Sequence, residues 1–545
     1  MTTTMRGTTI FGWNHRACLL SGMAWLLAMA SAQATTYYVS PTGSDSNAGT
    51  IDKPFHGFQK GADVAVAGDT VYFRGGTYSY AGQGSGTAAE GVLLTKSGSS
   101  DTKRIYFWAY PNEKPIFDFS QLTLSKTATC GGIRLNNANW LYFKGLEIEG
   151  VPEPGTVANN GIWSNPGSNN TYELLNIHNI SGPGLSIANG TGGNLVLNCD
   201  SHDNYDATSA QGAGQNADGF GIHYQKSGPS TVLRGCRSWF NSDDGYDCIF
   251  QGVPVIWENC WAMRMGFHDH GTISAAQGNG NGFKAGGFGM PPNYGSYPSP
   301  IVHHVLRNCV SLLNKAAGFY QNHQPTSDTF YNNSSYDNGS DFDMLGYDIA
   351  AGAGAGYGYY RNNVAYLSNA TANRTGTHYD DAFNSWTIAG LTVTASDFVT
   401  LDTAGIMGPR NADGSVPNVG FMRLSAASKL IDKGVAVGLP YSGKAPDLGA
   451  FEYGTVAIQP RILASQAGYS LGWRNGEMVF STPGSESVTL SIHSVSGALL
   501  EQSEMTSKPG ENVFPVRQHH PGLSIATLRT SSGSTLQMRV ISAGT

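Results

Sequence analysis

Short runs of valine, isoleucine, leucine and aromatic residues recur along most of the chain, separated by glycine and asparagine. Residues 231–233 (TVL) and 254–257 (PVIW) are typical of these runs. They are too short and too rich in β-branched residues for helices, so they predict many short strands. Residues 57–67 are the exception, because they have helical periodicity and predict one amphipathic helix.

A glycine followed by a large apolar residue marks one position of a sequence repeat. The pair returns at intervals of 23 to 37 residues. In stacked repeats of this length each unit contacts its neighbours, and equivalent residues lie one above another. The pairs are Gly132-Ile133, Gly161-Ile162, Gly184-Leu185, Gly219-Phe220, Gly245-Tyr246, Gly282-Phe283 and Gly318-Phe319.

Cysteine and asparagine mark a second position of the repeat. Four cysteines share one context, and two Asn-Asn pairs continue the series; these are Cys199, Cys236, Cys260, Cys309, Asn332-Asn333 and Asn362-Asn363. Because residues in the same phase stack side by side, we expect a column of buried thiols inside the fold. Disulfide pairing is the alternative, since an exported protein can form disulfides.

These patterns predict an all-β protein, a parallel β-helix with coils over residues 36–370. The other all-β solution, a β-sandwich, has turns every 8–12 residues and would not keep the repeats in phase. Residues 37–78 are expected to cap the open N-terminal end of the core. Residues 371–454 are expected to form tail loops along the helix. Together these segments define a parallel β-helix domain at 35–454.

A separate module is expected after a linker at residues 455–460. Residues 461–545 contain alternating polar and apolar positions, for example 488–492 (VTLSI), and predict a small β-sandwich. Its turn at 493–497 (HSVSG) resembles C-terminal sorting or attachment domains of secreted bacterial enzymes. A carbohydrate-binding or spacer role is the alternative for this module.

Composition and the N-terminus narrow the class of protein. The chain has 545 residues with 71 glycines, 13% charged residues and a net charge of −7, which excludes a coiled coil, a basic nucleic-acid binder and a charge-rich disordered chain. Arg6 and Arg16, an apolar stretch at 17–30 and the small residues at 30–34 predict a signal peptide over residues 1–34. A membrane anchor is the alternative. We therefore expect a secreted or cell-surface bacterial protein, monomeric and without a membrane span after signal cleavage.

Four aspartates fall on adjacent repeats when the Gly–aromatic pairs are aligned. Asp218, Asp243, Asp244 and Asp247 should lie within several ångströms of one another on one side of the helix. Such carboxylates repel unless a cation neutralises them, and an all-oxygen set at a turn suits Ca²⁺. The backbone must bend at Gly245, because a straight strand would point Asp244 and Asp247 to opposite faces. The alternative is that these residues only cap turns.

Lys284 should lie one coil beyond Asp247, among several glycines. A neutral amine beside a bound Ca²⁺ could remove the proton α to a sugar carboxylate. Elimination of the glycosidic oxygen at C4 would follow. This chemistry implies an acidic polysaccharide as the substrate.

Three segments resemble the core motifs of family 9 polysaccharide lyases: 216–220 (NADGF), 236–247 (CRSWFNSDDGYD) and 278–287 (GNGNGFKAGG). That family contains secreted pectate lyases with a right-handed parallel β-helix. The resemblance implies that Asp218, Asp243, Asp244 and Asp247 bind Ca²⁺ and that Lys284 is the catalytic base. Two segments depart from the family pattern, namely 320–324 (YQNHQ) and 248–251 (CIFQ).

Two other functions remain open from the sequence. An inverting pectin-type hydrolase could use Asp243 and Asp244, or Asp218, as acid and base. Such hydrolases also require Gly-His-Gly and a later Arg-x-Lys, whereas this chain has His-Asp-His-Gly at 268–271 and no later Arg-x-Lys. A calcium-stabilised glycan-binding β-helix would keep the aspartates but would have no use for Lys284.

Basic residues near the same coils are candidates for binding polygalacturonate carboxylates. Register alone suggests Arg237, Arg264, Lys226 and Lys315.

Overall fold

The computed structural model describes most of the chain between residues 34 and 542. The described residues are 34–83, 90–275, 278–290, 293–294, 302–346, 357–374, 378–454, 470–474, 477–482, 484–494, 499–514, 522–531 and 535–542. The expected signal peptide, apart from Ala34, and the expected linker at 455–460 lie outside them. Within the described residues, none of the helices is long and apolar enough to cross a membrane.

Three long parallel sheets form the body of the molecule, with strands numbered in chain order. The first sheet contains β1 (Thr36–Val39), β2 (Thr70–Phe73), β5 (Ile105–Ala109), β8 (Leu141–Lys144), β11 (Thr171–Glu173), β14 (Leu195–Leu197), β17 (Thr231–Arg234), β20 (Val255–Glu258), β27 (Val305–Arg307), β30 (Asp328–Tyr331), β33 (Tyr357–Arg361) and β36 (His378–Ala382).

The second sheet contains β3 (Gly76–Gln83), β6 (Pro115–Thr123), β9 (Glu147–Glu149), β12 (Asn176–His178), β15 (Asp200–His202), β18 (Arg237–Trp239), β21 (Trp261–Met263), β28 (Val310–Leu312), β31 (Ser334–Tyr336) and β34 (Val364–Tyr366). The third sheet contains β4 (Val92–Leu94), β7 (Gly131–Leu135), β10 (Asn160–Ser164), β13 (Leu185–Ala188), β16 (Phe220–His223), β19 (Tyr246–Ile249), β24 (Phe283–Ala285), β29 (Ala317–Tyr320), β32 (Ser340–Asp343) and β35 (Thr371–Ala372).

From β2 to β36, apart from two short hairpins, the chain visits the three sheets in a fixed cycle, one strand at a time. Each strand of the cycle pairs in parallel with its equivalents in the neighbouring coils. This is a parallel β-helix, so the predicted fold is confirmed. Its last strand in the first sheet, β36, ends at Ala382, twelve residues beyond the predicted end of the coils.

The predicted Gly–aromatic column is in register on the third sheet. Its large side chains point inward and stack, with ring centroids 5.2 Å apart for Phe220–Tyr246, 4.6 Å for Tyr246–Phe283 and 5.0 Å for Phe283–Phe319. The glycine before each ring allows close approach of the next coil. A Cβ on Gly219 would lie 2.0 Å from the Ser238 hydroxyl, which is an impossible contact.

The predicted capping helix is shorter than its sequence pattern. It is α1 (Phe58–Val64), and it buries Phe58 against Phe73, Phe107 and Phe117 at ring distances of 4.5, 5.2 and 5.3 Å. The first coils therefore close over an aromatic cluster.

The second predicted column is also confirmed. Cys199, Cys236, Cys260 and Cys309 are buried free thiols, as are Cys130 and Cys248, which lie outside this column. After Cys309 the column continues with asparagine, since the Asn333 Oδ1 accepts the Cys309 N–H at 2.9 Å and the Asn363 Oδ1 accepts the Asn333 N–H at 3.0 Å.

Residues 383–454 run along the second sheet, with a 3₁₀ helix at Ala395–Asp397. Arg410 ties this tail to the coils, because its guanidinium donates hydrogen bonds to the Asp200 carboxylate, the Cys199 carbonyl and the Gly235 carbonyl at 2.5, 2.9 and 2.9 Å. The tail loops predicted from the sequence therefore lie against the helix.

The remaining strands are antiparallel. Two short hairpins pair β22 (Phe267–His268) with β23 (Ile273–Ser274) and β25 (Gly289–Met290) with β26 (Asn293–Tyr294). At the C-terminus, β37 (Ser470–Arg474), β38 (Glu477–Thr482) and β41 (Gly510–Phe514) form one sheet, and β39 (Ser487–Ser494), β40 (Leu499–Thr506), β42 (Gly522–Thr530) and β43 (Thr535–Ser542) form another. The two sheets share a buried cluster that includes Phe480, Leu490 and Leu528.

Candidate active site

The outward face of the third sheet carries the lysine and one of the aspartates. Gly221, Asp247 and Lys284 occupy equivalent positions on β16, β19 and β24, and Tyr320 follows on β29. Alternate strand residues point to opposite faces, so the inward rings of the same strands fix these side chains outward. The register predicted from the sequence is confirmed here.

The turns that precede these strands supply the other carboxylates. The Asp218 Oδ1 accepts the Asp244 N–H at 3.2 Å, and the Asp244 Oδ1 accepts the N–H and the side-chain amide of Asn281 at 2.8 and 2.9 Å. Asp243 accepts the Asn279 N–H at 2.8 Å. The chain bends at Gly245, immediately before β19, as the sequence required. Asp218, Asp243 and Asp244 therefore each accept a backbone N–H of a neighbouring turn, and their carboxylates also face one another.

Lys284 connects the turn aspartates with the strand aspartate. Its Nζ lies 3.1 Å from the Asp244 Oδ2 and 3.2 Å from the Asp247 Oδ2. The Lys284 side chain is 15% exposed, so it is less open than the surrounding glycines suggested. It still has a path to solvent, whereas Asp244 is fully buried.

Burial and mutual repulsion control the ionisation of the aspartates. Burial, followed by the charges of the other three aspartates, raises the pKa of Asp218 well above its usual range. Burial likewise raises the pKa of Asp243 and of Asp244. For Asp247 burial acts upward, but the Lys284 ammonium and His223 outweigh it and lower the pKa to about 2. One ammonium group therefore cannot satisfy four carboxylates.

The ammonium group responds in the opposite direction. Burial acts to lower the pKa of Lys284, but the charges of Asp247 and Asp244 outweigh it and hold the pKa well above the usual range. In this state the amine is protonated and is not a base. Neutralisation of the carboxylates would release it.

His223 belongs to this group, and the sequence reasoning did not identify it. It lies on β16, two residues after Gly221, and its Nε2 is 3.5 Å from the Asp247 Oδ2. The signal was the strand alternation, because position 223 must face outward like position 221. Its ring fills space left by the missing side chain of Gly221, since a Cβ there would lie 3.0 Å from the His223 ring.

The carboxylate group has the ligand atoms and the spacing that a bound cation requires. Oxygen atoms of Asp218, Asp243 and Asp244 lie within 4.8 Å of one another, as do ligand atoms of Asp218, His223 and Asp247. The buried Asp247 Oδ1 accepts no hydrogen bond in the described part of the chain. Clustered carboxylates with an unsatisfied oxygen and raised pKa values suit a hard cation with oxygen ligands, of which Ca²⁺ is the common example.

The basic residues proposed from register have different locations. The expectation that Arg237 binds substrate is wrong, because it lies on β18 of the second sheet, is 2% exposed and pairs with Asp200 at 2.7 Å beneath the tail. Arg264 follows β21, also in the second sheet, and is half-buried. Lys315 donates to the carbonyls of Ala275 and Gly278 at 2.6 and 3.0 Å. Lys226 is exposed, a few residues after β16.

The two loop histidines do not join the carboxylate cluster. His268 stacks on Tyr205 with ring centroids 4.0 Å apart, and His270 lies 3.1 Å from the Asp203 carboxylate. Both belong to the hairpin after β21. This placement gives no support to a hydrolase site built on them.

Comparisons with known proteins assign the coils to one family. Residues 37–363 match the model of the Pel9A-like right-handed β-helix region. Pectate lyase L of Dickeya chrysanthemi is 36% identical over 76% of this chain and 90% of its own length. Pectate lyase PEL9 of Emericella nidulans is 30% identical over 74% of this chain and 96% of its own length.

Solved structures give the same result. The crystal structure of pectate lyase Pel9A superposes with a TM-score of 0.64 at 35% identity, covering 77% of this chain and 96% of that one. A rhamnogalacturonan lyase superposes with a TM-score of 0.61 at 30% identity, covering 72% of this chain and 97% of that one.

Proposed function

This chain belongs to the Pel9A-like right-handed β-helix family and is a polysaccharide lyase, and on that premise we propose that it is a calcium-dependent pectate lyase that cleaves α-1,4-galacturonan by β-elimination. The observation that carries the proposal is the ion-paired group of Lys284 with Asp244 and Asp247, at 3.1 and 3.2 Å. A lysine in contact with clustered carboxylates offers a base beside a cation site, which elimination next to a uronate carboxylate requires.

Asp218, Asp243, Asp244 and Asp247 would hold the calcium ion. When bound, Ca²⁺ would neutralise these carboxylates and draw electron density from the uronate carboxylate. The hydrogen bonds from the Asn281 and Asn279 N–H groups already fix the orientation of Asp244 and Asp243. The site is therefore held in place by the coil backbone.

Lys284 would act as the Brønsted base. Its neutral Nζ takes the proton from C5 of the uronosyl ring, and the C5–H electrons form the C4=C5 double bond. The bond from C4 to the glycosidic oxygen breaks, and that oxygen takes a proton from water. The products are a 4,5-unsaturated uronide and a new reducing end.

The two other functions make different demands on Lys284. An inverting hydrolase needs one carboxyl to donate a proton and a second to activate water, and it gives the lysine no role. A binding protein needs the aspartates only. Lys284 is partly exposed, whereas Asp244 and Asp247, with which it pairs, are buried, and this access for a substrate favours the lyase.

The deciding experiment follows ultraviolet absorbance while the protein acts on polygalacturonate, with added Ca²⁺ and with a chelator. We expect a rise with Ca²⁺ that the chelator stops, because each elimination creates a conjugated double bond. New reducing ends without absorbance would instead establish hydrolysis. A rise on rhamnogalacturonan but not on polygalacturonate would move the substrate to that polymer and overturn the pectate assignment.

We propose further that residues 1–34 direct secretion and are then removed. The apolar stretch at 17–30 and the small residues at 30–34 support this. N-terminal sequencing of the protein from culture medium tests it. We expect a first residue at or near Thr35.

A further inference from the structure

Two aromatic residues occupy the turn that follows the active-site strands. Tyr224 comes directly after β16 and Phe250 directly after β19, and the Tyr224 N–H donates to the Ile249 carbonyl at 3.2 Å. Their rings stack with centroids 5.2 Å apart and planes 12° from parallel. They form a two-ring ladder beside the carboxylate group.

Both residues have a backbone conformation that aromatic residues rarely adopt. The φ angle is 56° at Tyr224 and 54° at Phe250, in the left-handed region where asparagine and glycine are common. The preceding coil has Asn189 at the same position, with φ of 57°. The fold therefore accepts asparagine at this turn, and the aromatic side chains are an unfavourable choice for the backbone alone.

Burial does not explain the aromatic side chain of Tyr224. The Tyr224 ring is 46% exposed, although large apolar groups gain stability from burial. On the side of the preceding coil it faces Asn189, which is small and exposed. Phe383 is also exposed at positive φ, so the place of Tyr224 beside the active-site strands, together with its exposure, carries the inference.

The ladder lies within reach of the reacting groups. The ring of Tyr224 contacts His223 at 6.1 Å between centroids, and His223 in turn contacts Asp247 at 3.5 Å. Burial and the charge of Asp247 raise the pKa of Tyr224, which agrees with this proximity. A sugar ring bound over Tyr224 would adjoin the ring held at Asp247 and Lys284.

We propose that Tyr224, backed by Phe250, is a stacking platform that binds a uronosyl ring next to the ring that undergoes elimination. This inference rests on the proposed lyase function. In a galacturonosyl ring the axial hydroxyl at C4 leaves the C3, C4 and C5 hydrogens together on one face, and this apolar face packs on an aromatic ring. Tyr224 is then a specificity-determining residue for a galacto-configured uronide.

The test uses Tyr224→Asn, because asparagine is the residue that the preceding coil places in this conformation. In a Lys284→Ala background, which prevents turnover, calorimetric titration with trigalacturonate and Ca²⁺ should show affinity about tenfold weaker in Tyr224→Asn. Tyr224→Phe should keep the affinity of the parent. In the active protein Tyr224→Asn should raise KM with little change in kcat, and its unfolding midpoint should stay close to that of the parent.

Phe383→Asn is the matched control. Phe383 is also an aromatic residue at positive φ, 55°, and is 45% exposed, but it follows β36 at the end of the first sheet. Its substitution should leave affinity and KM unchanged.

Two results would overturn the proposed role of Tyr224. One is that Tyr224→Asn binds trigalacturonate as tightly as the parent. The other is that the unfolding midpoint of Tyr224→Asn falls and Tyr224→Phe loses affinity equally. If the unsubstituted protein produces no unsaturated uronide, the proposed function itself has failed, which is a separate result.

Discussion

Four buried carboxylates share one ammonium group, so negative charge exceeds positive charge at the site, and this excess affects the pKa of each aspartate. Lys284 pairs with Asp244 and Asp247, whereas Asp218 and Asp243 each accept a backbone N–H. Burial, followed by repulsion from the neighbouring carboxylates, raises the pKa of Asp218 and of Asp243. Unpaired buried charge is costly, so a divalent cation is the expected complement. Substitutions in this group should separate catalysis from metal binding.

Replacement of Lys284 should remove catalysis without removing the metal site. We expect Lys284→Ala to lower kcat by about 10³-fold or more on polygalacturonate at saturating Ca²⁺, because the base is lost. Calcium affinity, measured by titration calorimetry, should be unchanged or tighter, since a competing positive charge has gone. Lys103→Ala, at an exposed turn, is the control. Substantial residual activity in Lys284→Ala would remove it as the base.

Replacement of Asp244 should act on the metal instead. Asp244 is fully buried and its Oδ2 faces the lysine, so Asp244→Ala should shift the calcium dependence of activity to much higher concentration. The measurement is initial rate against free Ca²⁺. Asp343→Ala is a matched control, because Asp343 lies on the same outward column two coils beyond Lys284. An unchanged calcium dependence in Asp244→Ala would exclude Asp244 as a ligand.

The raised pKa values of Asp218, Asp243 and Asp244 predict how stability depends on pH. As pH rises above 3.8, their usual value, the unfolded chain loses these protons first, so the free energy of unfolding falls. Asp247 acts oppositely, but with a pKa of about 2 its stabilising effect is complete by about pH 5. The thermal unfolding midpoint should therefore be higher with Ca²⁺ than with a chelator, and this difference should grow as the pH rises from about 4 to about 8. Equal midpoints across this range would contradict the proposed cation site.

The sequence was sufficient to predict that the four aspartates and Lys284 meet, but it missed His223 and failed for Arg237. Asp218, Asp247 and Lys284 could be placed because one repeated Gly–aromatic pair sets the register of adjacent parallel strands. Arg237 could not be placed, since its partners include the Ile406 carbonyl, 169 residues away in the tail. Register fixes a position along a sheet, but contacts between a coil and a distant loop leave no repeat in the sequence.

Among the elements, the columns of equivalent residues carry much of the structural order. Inside the third sheet the rings of Phe220, Tyr246 and Phe283 stack in sequence, and at the corner after the first sheet the thiol column passes into an asparagine column. These columns were predictable because in-register coils repeat the same environment. The long connections between coils have no such constraint, and their paths were not predicted.

The asparagine column should be measurably stabilising. The Asn363 Oδ1 accepts the Asn333 N–H and side-chain amide, both at 3.0 Å, and its own amide donates to the Phe330 carbonyl at 2.8 Å, all buried. Asn363→Ala leaves these groups unsatisfied and should lower the free energy of unfolding by about 3 kcal/mol in urea titration. Asn411→Ala, at an exposed tail turn, should cost well under about 1 kcal/mol. Equal effects of the two substitutions would mean that the column contributes nothing special.

At the scale of the whole molecule, the coils and the C-terminal strands have separate cores. The coil core includes Phe283 and Phe319, the tail adds a second cluster on the second sheet, and the C-terminal strands bury Phe480 and Leu528 in a third. All candidate catalytic and metal-binding residues lie between positions 218 and 284. The family match ends at residue 363.

A chain that stops after Gly454 should therefore remain an active enzyme. The Pel9A structure is covered over 96% of its length by 77% of this chain, so the C-terminal strands are not needed to complete the enzyme fold. We expect kcat/KM on soluble polygalacturonate to stay within about twofold of the full chain, because no step of the elimination uses a residue beyond the coils. Adsorption to insoluble pectin, measured for both proteins, then isolates what the C-terminal strands add. A loss of adsorption with unchanged kcat/KM would establish a binding or attachment module. A loss of kcat/KM or of solubility would instead show that the enzyme depends on these strands, and the division at residue 454 would be wrong.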